Sequence, residues 1–171
     1  ETAGEEAVAE ETGDLDEIRA DLREVLERHA NLMDERRPDA VARRRKTGQR
    51  TTRENIADLV DPGSFVEYGA LALAAQRQRR TMEELLRMSP ADGMVTGIGS
   101  VNGDLFGDEA ARCAVMAYDY TVFAGTQGVI NHRKKDRLLE LCEKWSLPVV
   151  LFAEGGGGRP GDEWPTPAGL D

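Results

Sequence analysis

The apolar run Pro148-Val-Val-Leu-Phe-Ala153 leads straight into Glu154-Gly-Gly-Gly-Gly-Arg159-Pro160-Gly161, and no other stretch restricts the fold so tightly. A short apolar run bounded by turn residues reads as a buried strand. Its carboxyl end then opens into a loop of unusual backbone freedom. Glycine costs conformational entropy, so four in succession are expected where the chain takes φ > 0 or approaches something closely. Two N–H groups of such a loop can point at one developing negative charge, an oxyanion hole made without side chains. A flexible turn accounts for the same residues. Gly156-x-Gly158-x-x-Gly161 also has a dinucleotide-binding spacing, but Pro160 deletes an amide in the phosphate-facing turn. A Walker loop is excluded, because Asp162 follows Gly161 where Lys-Ser/Thr is needed.

Residues 1–13 are Glu, Ala, Gly and Thr with almost nothing to bury, and read as an acidic linker. Residues 14–60 form a helical segment. Leu15, Ile18, Leu22, Val25, Leu26, His29, Leu32 and Met33 recur at helical spacing, which predicts an amphipathic helix over 14–37, ahead of Pro38. Two short helices follow, separated by Gly48, the second opening at Thr51-Thr-Arg-Glu54. From Asp61 to Asp171 the pattern is α/β: a short strand at 65–68, a loop or short helix at 82–86, strands at 93–101 and 112–119, a helix at 127–144, and the buried strand at 148–153. Asn102-Gly103 is a hairpin signal between the middle strands.

Of the net charge of −10, residues 36–53 carry +7, from eight bases and one acid. A globally acidic chain is a poor general nucleic-acid binder, since that affinity comes from neutralising phosphates. A basic stretch can still meet one small phosphorylated ligand. No run reaches the roughly 18 apolar residues of a membrane helix, and neither a signal sequence nor a zinc spacing of Cys and His is present, so the expectation is a cytoplasmic protein without a metal site.

Five stretches in order resemble the carboxyltransferase component of biotin-dependent acyl-CoA carboxylases: Asp61-Pro-Gly-Ser-Phe-Val-Glu67, Ala91-Asp-Gly-Met-Val-Thr-Gly-Ile-Gly99, Tyr118-Asp-Tyr-Thr-Val-Phe-Ala-Gly125, His132-x-x-Lys135, and Pro148 to Arg159. The resemblance implies a crotonase-like fold of ββα units, of which this chain would hold an incomplete N-terminal portion preceded by the amphipathic helix. It implies that Gly156 and Gly157 are the catalytic backbone donors, and that Gly125, His132, Lys135, Gly158 and Arg159 lie at the acyl-CoA. Arg159 would fix the loop or meet a phosphate. The family's usual loop is Asp-Ser-Gly-Gly-Ala-Arg; here Glu154, Gly155 and Gly158 depart from it.

The resemblance further implies carboxybiotin as the carboxyl donor, brought by a biotin carboxyl carrier and charged by a biotin carboxylase. It also implies a second carboxyltransferase half and a homo-oligomer. The transferred group would join the α-carbon of an acetyl-, propionyl- or longer acyl-CoA through an enolate, as in fatty acid metabolism. Arg36, Arg37, Arg43, Arg44, Arg45, Lys46, Arg50 and Arg53 are candidates for the phosphates of coenzyme A, or else a solvated surface. From another class, a non-catalytic assembly module using the 14–37 helix fits the same residues. A hydratase or isomerase of the same superfamily would call for a positioned pair of glutamates further on.

Overall fold

The computed structural model describes residues 19–162. The linker at 1–13, the first residues of the N-terminal helix and the stretch from 163 onward lie outside the described residues. A four-stranded sheet organises the rest, in the order β1 (Val66–Tyr68), β2 (Met94–Ser100), β3 (Arg112–Tyr118), β4 (Val149–Phe152). The first three strands are antiparallel, with Val66 opposite Ile98 and Thr96 opposite Met116. β4 runs parallel to β3, Met116 facing Leu151. A parallel pair needs a crossover, and the long helix α6 (Val129–Trp145) supplies it.

Alternation along the strands sends side chains to two cores. On one face Met94, Ile98, Ala114, Met116 and Tyr118 pack with Leu138 and Cys142 of α6. On the other, Val95, Cys113, Val115 and Ala117 pack with Ile56 and Val60, brought by the helix α3 (Thr52–Leu59) and its end. Cys113 and Cys142 therefore sit on opposite faces of the sheet as free thiols, and burial pushes the pKa of both up.

α3 opens with a capping box: the Thr51 hydroxyl accepts from the Glu54 N–H and the Glu54 carboxylate accepts from the Thr51 N–H. Thr81 and Glu84 repeat the device at α4 (Met82–Met88). α2 (Pro38–Lys46) starts with its proline in the first turn, where the missing N–H has no intrahelical partner to lose.

Three expectations change. α1 (Ala20–Ala30) ends well before Pro38, because Leu32 leaves the helix to bury itself, and a 3₁₀ turn takes up residues 34–36. Leu22, Val25 and Leu26 on α1 are exposed. The β2–β3 connection is not a tight hairpin: the Asp61 carboxylate accepts from the N–H groups of Asn102 and Gly103, at 3.0 and 2.7 Å, and starts the helical turn α5 (Gly103–Phe106). β4 is not buried: Val150 and Phe152 are half-buried and alternate with exposed residues. It is the sheet's edge, and Val149 and Leu151 on its α6 side are 41 % and 49 % exposed.

Candidate functional site

The glycine run leaves the carboxyl end of β4 and is held at both ends. At its start the Arg44 guanidinium, 5.5 Å from the Tyr120 ring centroid, ion-pairs with the Glu154 carboxylate. In the middle, the Gln127 N–H donates to Gly157 O and the Arg159 N–H donates to Gln127 O, each at 2.7 Å, a single parallel bridge between the loop and the segment before α6. A trans peptide points its N–H opposite to its C=O. With Gly157 O fixed on Gln127, the Gly158 N–H is turned away from the protein side. Among the described residues the N–H groups of Gly156, Gly157 and Gly158 have no protein acceptor.

Two glycines let the loop sit against its neighbour. A Cβ on Gly125, where φ is +65°, would lie 2.4 Å from Glu154 O, and one on Gly155 would lie 2.3 Å from Gly125 O. The turn carrying Gly125 is itself left-handed at Phe123 (φ +48°) and Ala124 (φ +52°). Ala91 and Asp92 at the start of β2 repeat that pattern ahead of Gly93. Non-glycine residues hold such conformations where surrounding contacts over-determine them, which is common at functional sites.

Those contacts converge on Arg159. Its guanidinium ion-pairs with Asp92, donates to Thr126 O at 2.9 Å and lies 4.8 Å from the Phe123 ring centroid. Asp92 also accepts from the Asn131 N–H at 2.8 Å. Burial raises the Asp92 pKa, opposed by Arg159 and by the Asn131 hydrogen bond. Asp162 accepts from the Val129 N–H in the first turn of α6 and from Gln76 Nε2, both at 2.9 Å, a favourable place for a carboxylate.

The sequence candidates are thus placed unequally. Gly125, Gly156, Gly157, Gly158 and Arg159 form one cluster. Lys135 reaches it indirectly, its Nζ donating to Gln127 Oε1 at 2.7 Å and to the Tyr118 hydroxyl at 3.0 Å. His132 is exposed on α6. Of the basic stretch, Arg37, Arg44, Arg45, Arg50 and Arg53 pair with Asp119, Glu154, Glu54, Asp58 and Glu67. Arg36 and Arg43, together with the paired Arg37, line a groove of about 720 Å³ with Arg87, Leu86, Met88 and Phe123; Asp39 and Glu83 also border it.

Asp92, Asn131 and Asp162 were not singled out from the sequence as site residues, and neither was Lys134. The Lys134 Nζ donates to Ala91 O at 2.8 Å and to Met94 O. Burial lowers its pKa to about 8, with Glu67 and Asp92 opposing the shift. Unfolded, a lysine titrates near 10.4, so between those values the unfolded chain binds more protons and stability rises with pH, by up to about 1.4 kcal/mol per unit. Lys134→Met is expected to flatten that slope, leaving the variant's unfolding free energy less pH-dependent than the wild type's from pH 8 to 10. Parallel slopes in chemical denaturation across that range would show that Lys134 keeps its charge on folding.

The fold is that of carboxyltransferase structures. The chain superposes on a single-chain, multi-domain long-chain acyl-CoA carboxylase with a TM-score of 0.82 and 63 % identity, covering 90 % of this chain and 15 % of that one. On transcarboxylase 12S the TM-score is 0.66 at 26 % identity, covering 85 % of this chain and 26 % of that one. The family described as "Carboxyl transferase domain" matches residues 43–163, and the chain belongs to it. Among curated relatives, the biotin-dependent long chain acyl-coenzyme A carboxylase beta4 subunit of Mycobacterium tuberculosis is 39 % identical over 140 residues, 82 % of this chain and 23 % of that protein. The propionyl-CoA carboxylase beta chain of Saccharopolyspora erythraea is 37 % identical over 121 residues, 70 % of this chain and 20 % of its own length. The chain thus spans about a fifth of these relatives. No helix among the described residues is long and apolar enough to cross a membrane.

Proposed function

We propose that this chain is part of an acyl-CoA carboxyltransferase and supplies the acyl side of its active site. The observation that carries this is the glycine loop, whose Gly156, Gly157 and Gly158 N–H groups have no protein acceptor among the described residues while both loop ends are held by ion pairs. Loss of a proton from the α-carbon of an acyl-CoA places negative charge on the thioester oxygen. Amides already aimed at that oxygen stabilise the enolate without reorganising, by about 3–4 kcal/mol for a well-placed donor. Gly156 and Gly157 take that role, with Gly125 giving the loop its close seat. His132 and Lys135 lie toward the acyl-CoA edge, Lys135 through Gln127. Arg159 serves the acyl-CoA by holding the loop rather than by touching a phosphate, because its side chain is only 3 % exposed.

The β2–β3–α6 succession is one ββα unit, and we read it as the start of a crotonase-like superhelix. Carboxybiotin supplies the carboxyl group from a carrier domain. On the family resemblance, the groups that hold biotin belong to the remaining carboxyltransferase half. A biotin carboxylase and further copies of the chain complete the assembly. The groove lined by Arg36, Arg43 and Arg87 suits the phosphates of coenzyme A. The exposed Leu22, Val25 and Leu26 of α1 favour an added assembly role for that helix.

The test is incorporation of labelled bicarbonate by the full-length enzyme with ATP and acyl-CoAs of increasing chain length. Incorporation into at least one is expected, with a KM that rises with salt because exposed phosphate contacts are screened over about 8–10 Å. Arg36→Ala combined with Arg87→Ala should raise KM about tenfold and leave kcat within twofold. No incorporation across the series overturns the carboxyltransferase reading, and an unchanged KM in the double variant removes the groove from it.

A further inference from the structure

We propose that Asp92 and Arg159 are a positioning pair that sets the aim of the glycine-loop amides, an inference that rests on the oxyanion reading of that loop. The Asp92 side chain is fully buried and that of Arg159 is 3 % exposed. A buried ion pair is weak grounds for stability, since desolvation offsets much of the attraction. What sets this pair apart is where its partners lie. The Arg159 guanidinium holds Asp92 in the left-handed turn before β2 and Thr126 O just after the left-handed turn of Phe123–Gly125. The backbone N–H of the same residue holds Gln127 O, and the Gln127 N–H holds Gly157 O. Two strained turns are thus tied to the side chain of Arg159 and the glycine run to its backbone, so that one residue joins all three, with Gly157 three non-covalent contacts from Asp92.

The turn that Arg159 steadies is also the one against which Gly155 rests, through its approach to Gly125. Asp92 cannot simply be exchanged for a neutral group. Its second oxygen accepts from the Asn131 N–H, and Asn131 in turn donates to Asp92 O and to Thr126 O, at 3.2 and 3.3 Å. Asp162, 3.6 Å from the guanidinium, is already committed to Val129 and Gln76, so it does not replace Asp92. Neither Asp92 nor Arg159 has room to touch substrate. Their effect reaches it through the direction of the Gly156 and Gly157 N–H groups.

Misdirection of a donor by about 1 Å costs on the order of 10²-fold in rate, and it acts where charge develops rather than on ground-state binding. In the full-length carboxylase, Asp92→Asn is expected to lower kcat by about 10–100-fold with KM for acyl-CoA within about threefold. Arg159→Lys, which keeps the charge but cannot span Asp92 and Thr126 O together, should give the same split with a smaller loss, read in an enzyme shown by its thermal midpoint to be folded at the assay temperature. It keeps the proposal testable if Asp92→Asn does not fold. Gly156→Pro is measured beside them. If it loses kcat while the folded Arg159→Lys and Asp92→Asn enzymes keep wild-type kcat, the positioning role is overturned and the oxyanion reading stands. If Gly156→Pro itself keeps wild-type kcat, the oxyanion reading fails and this proposal with it.

Discussion

Gly156→Pro in the full-length enzyme is expected to lower kcat by on the order of 10²–10³ while KM for acyl-CoA changes by less than about threefold. Proline removes the N–H at this position, and an alanine variant beside it separates that loss from the space the added atoms take. If that N–H meets the enolate oxygen, its loss falls on the transition state, where such donors act, and not on binding of the thioester. Gly156 is preferred to Gly157 for this experiment because its φ does not lie in the left-handed range. Gly157 lies at φ +85°, which a proline ring fixed near −65° cannot adopt, so a proline there would distort the loop as well as delete a donor. Gly156→Ala is the companion variant: its Cβ would sit 3.3 Å from Thr126 Cγ2, a contact relieved by a few tenths of an ångström, and its N–H remains. It should keep most of kcat. A Gly156→Pro enzyme with native circular dichroism and wild-type kcat would make the four-glycine run a turn and nothing more.

Much of this arrangement was legible in the sequence because it rests on local signals. Alternation of Met94, Thr96, Ile98 and Ser100 places β2, the mostly apolar run Arg112–Tyr118 places β3, the Thr51 and Glu54 pair places α3, and the apolar run before the glycines places β4 and its loop. What was not legible depends on contacts far apart in the chain. Arg44 reads as one member of a basic run, yet it closes on Glu154, and Arg37 closes on Asp119. No periodicity marks a surface arginine from one that ties a helix to a loop 110 residues away. Nothing local in Ala91-Asp-Gly-Met94 marks Asp92, since its importance comes from burial and from its pairing with Arg159. Lys134 sits in the charged run His132-Arg-Lys-Lys135, and only the packing of α6 on β2 turns it inward. The end of α1 is hidden for the opposite reason: helical spacing continues through Leu32 and Met33, but Leu32 gains more by burial than by staying on an exposed helix face.

Gly125→Ala and Gly155→Ala test the seat of the loop rather than its donors, and both are expected to cost on the order of 10² in kcat. The two residues approach each other backbone to backbone, and a Cβ on either would stand 2.3–2.4 Å from a carbonyl oxygen of the other strand of the contact. Ordinary contact begins near 3.4 Å, so the backbones must part by about 1 Å, the displacement at which positioned groups lose about 10²-fold in rate. The variants differ in stability. Gly125 is left-handed, so alanine there adds about 1–2 kcal/mol of backbone strain to an overpacking cost of about 1–3 kcal/mol. Gly155 has no positive φ and carries the overpacking alone. Gly158, with open space around its Cβ position and no positive φ, supplies the stability control, and its alanine variant should unfold with the wild type. If Gly125→Ala is the less stable of the two while both lose the same kcat, the rate depends on the distance between the turn and the loop and not on the strain in the turn. Wild-type kcat in the folded Gly155→Ala enzyme would mean that the loop can shift by that distance and still do its work, and the close seat would then be a matter of packing.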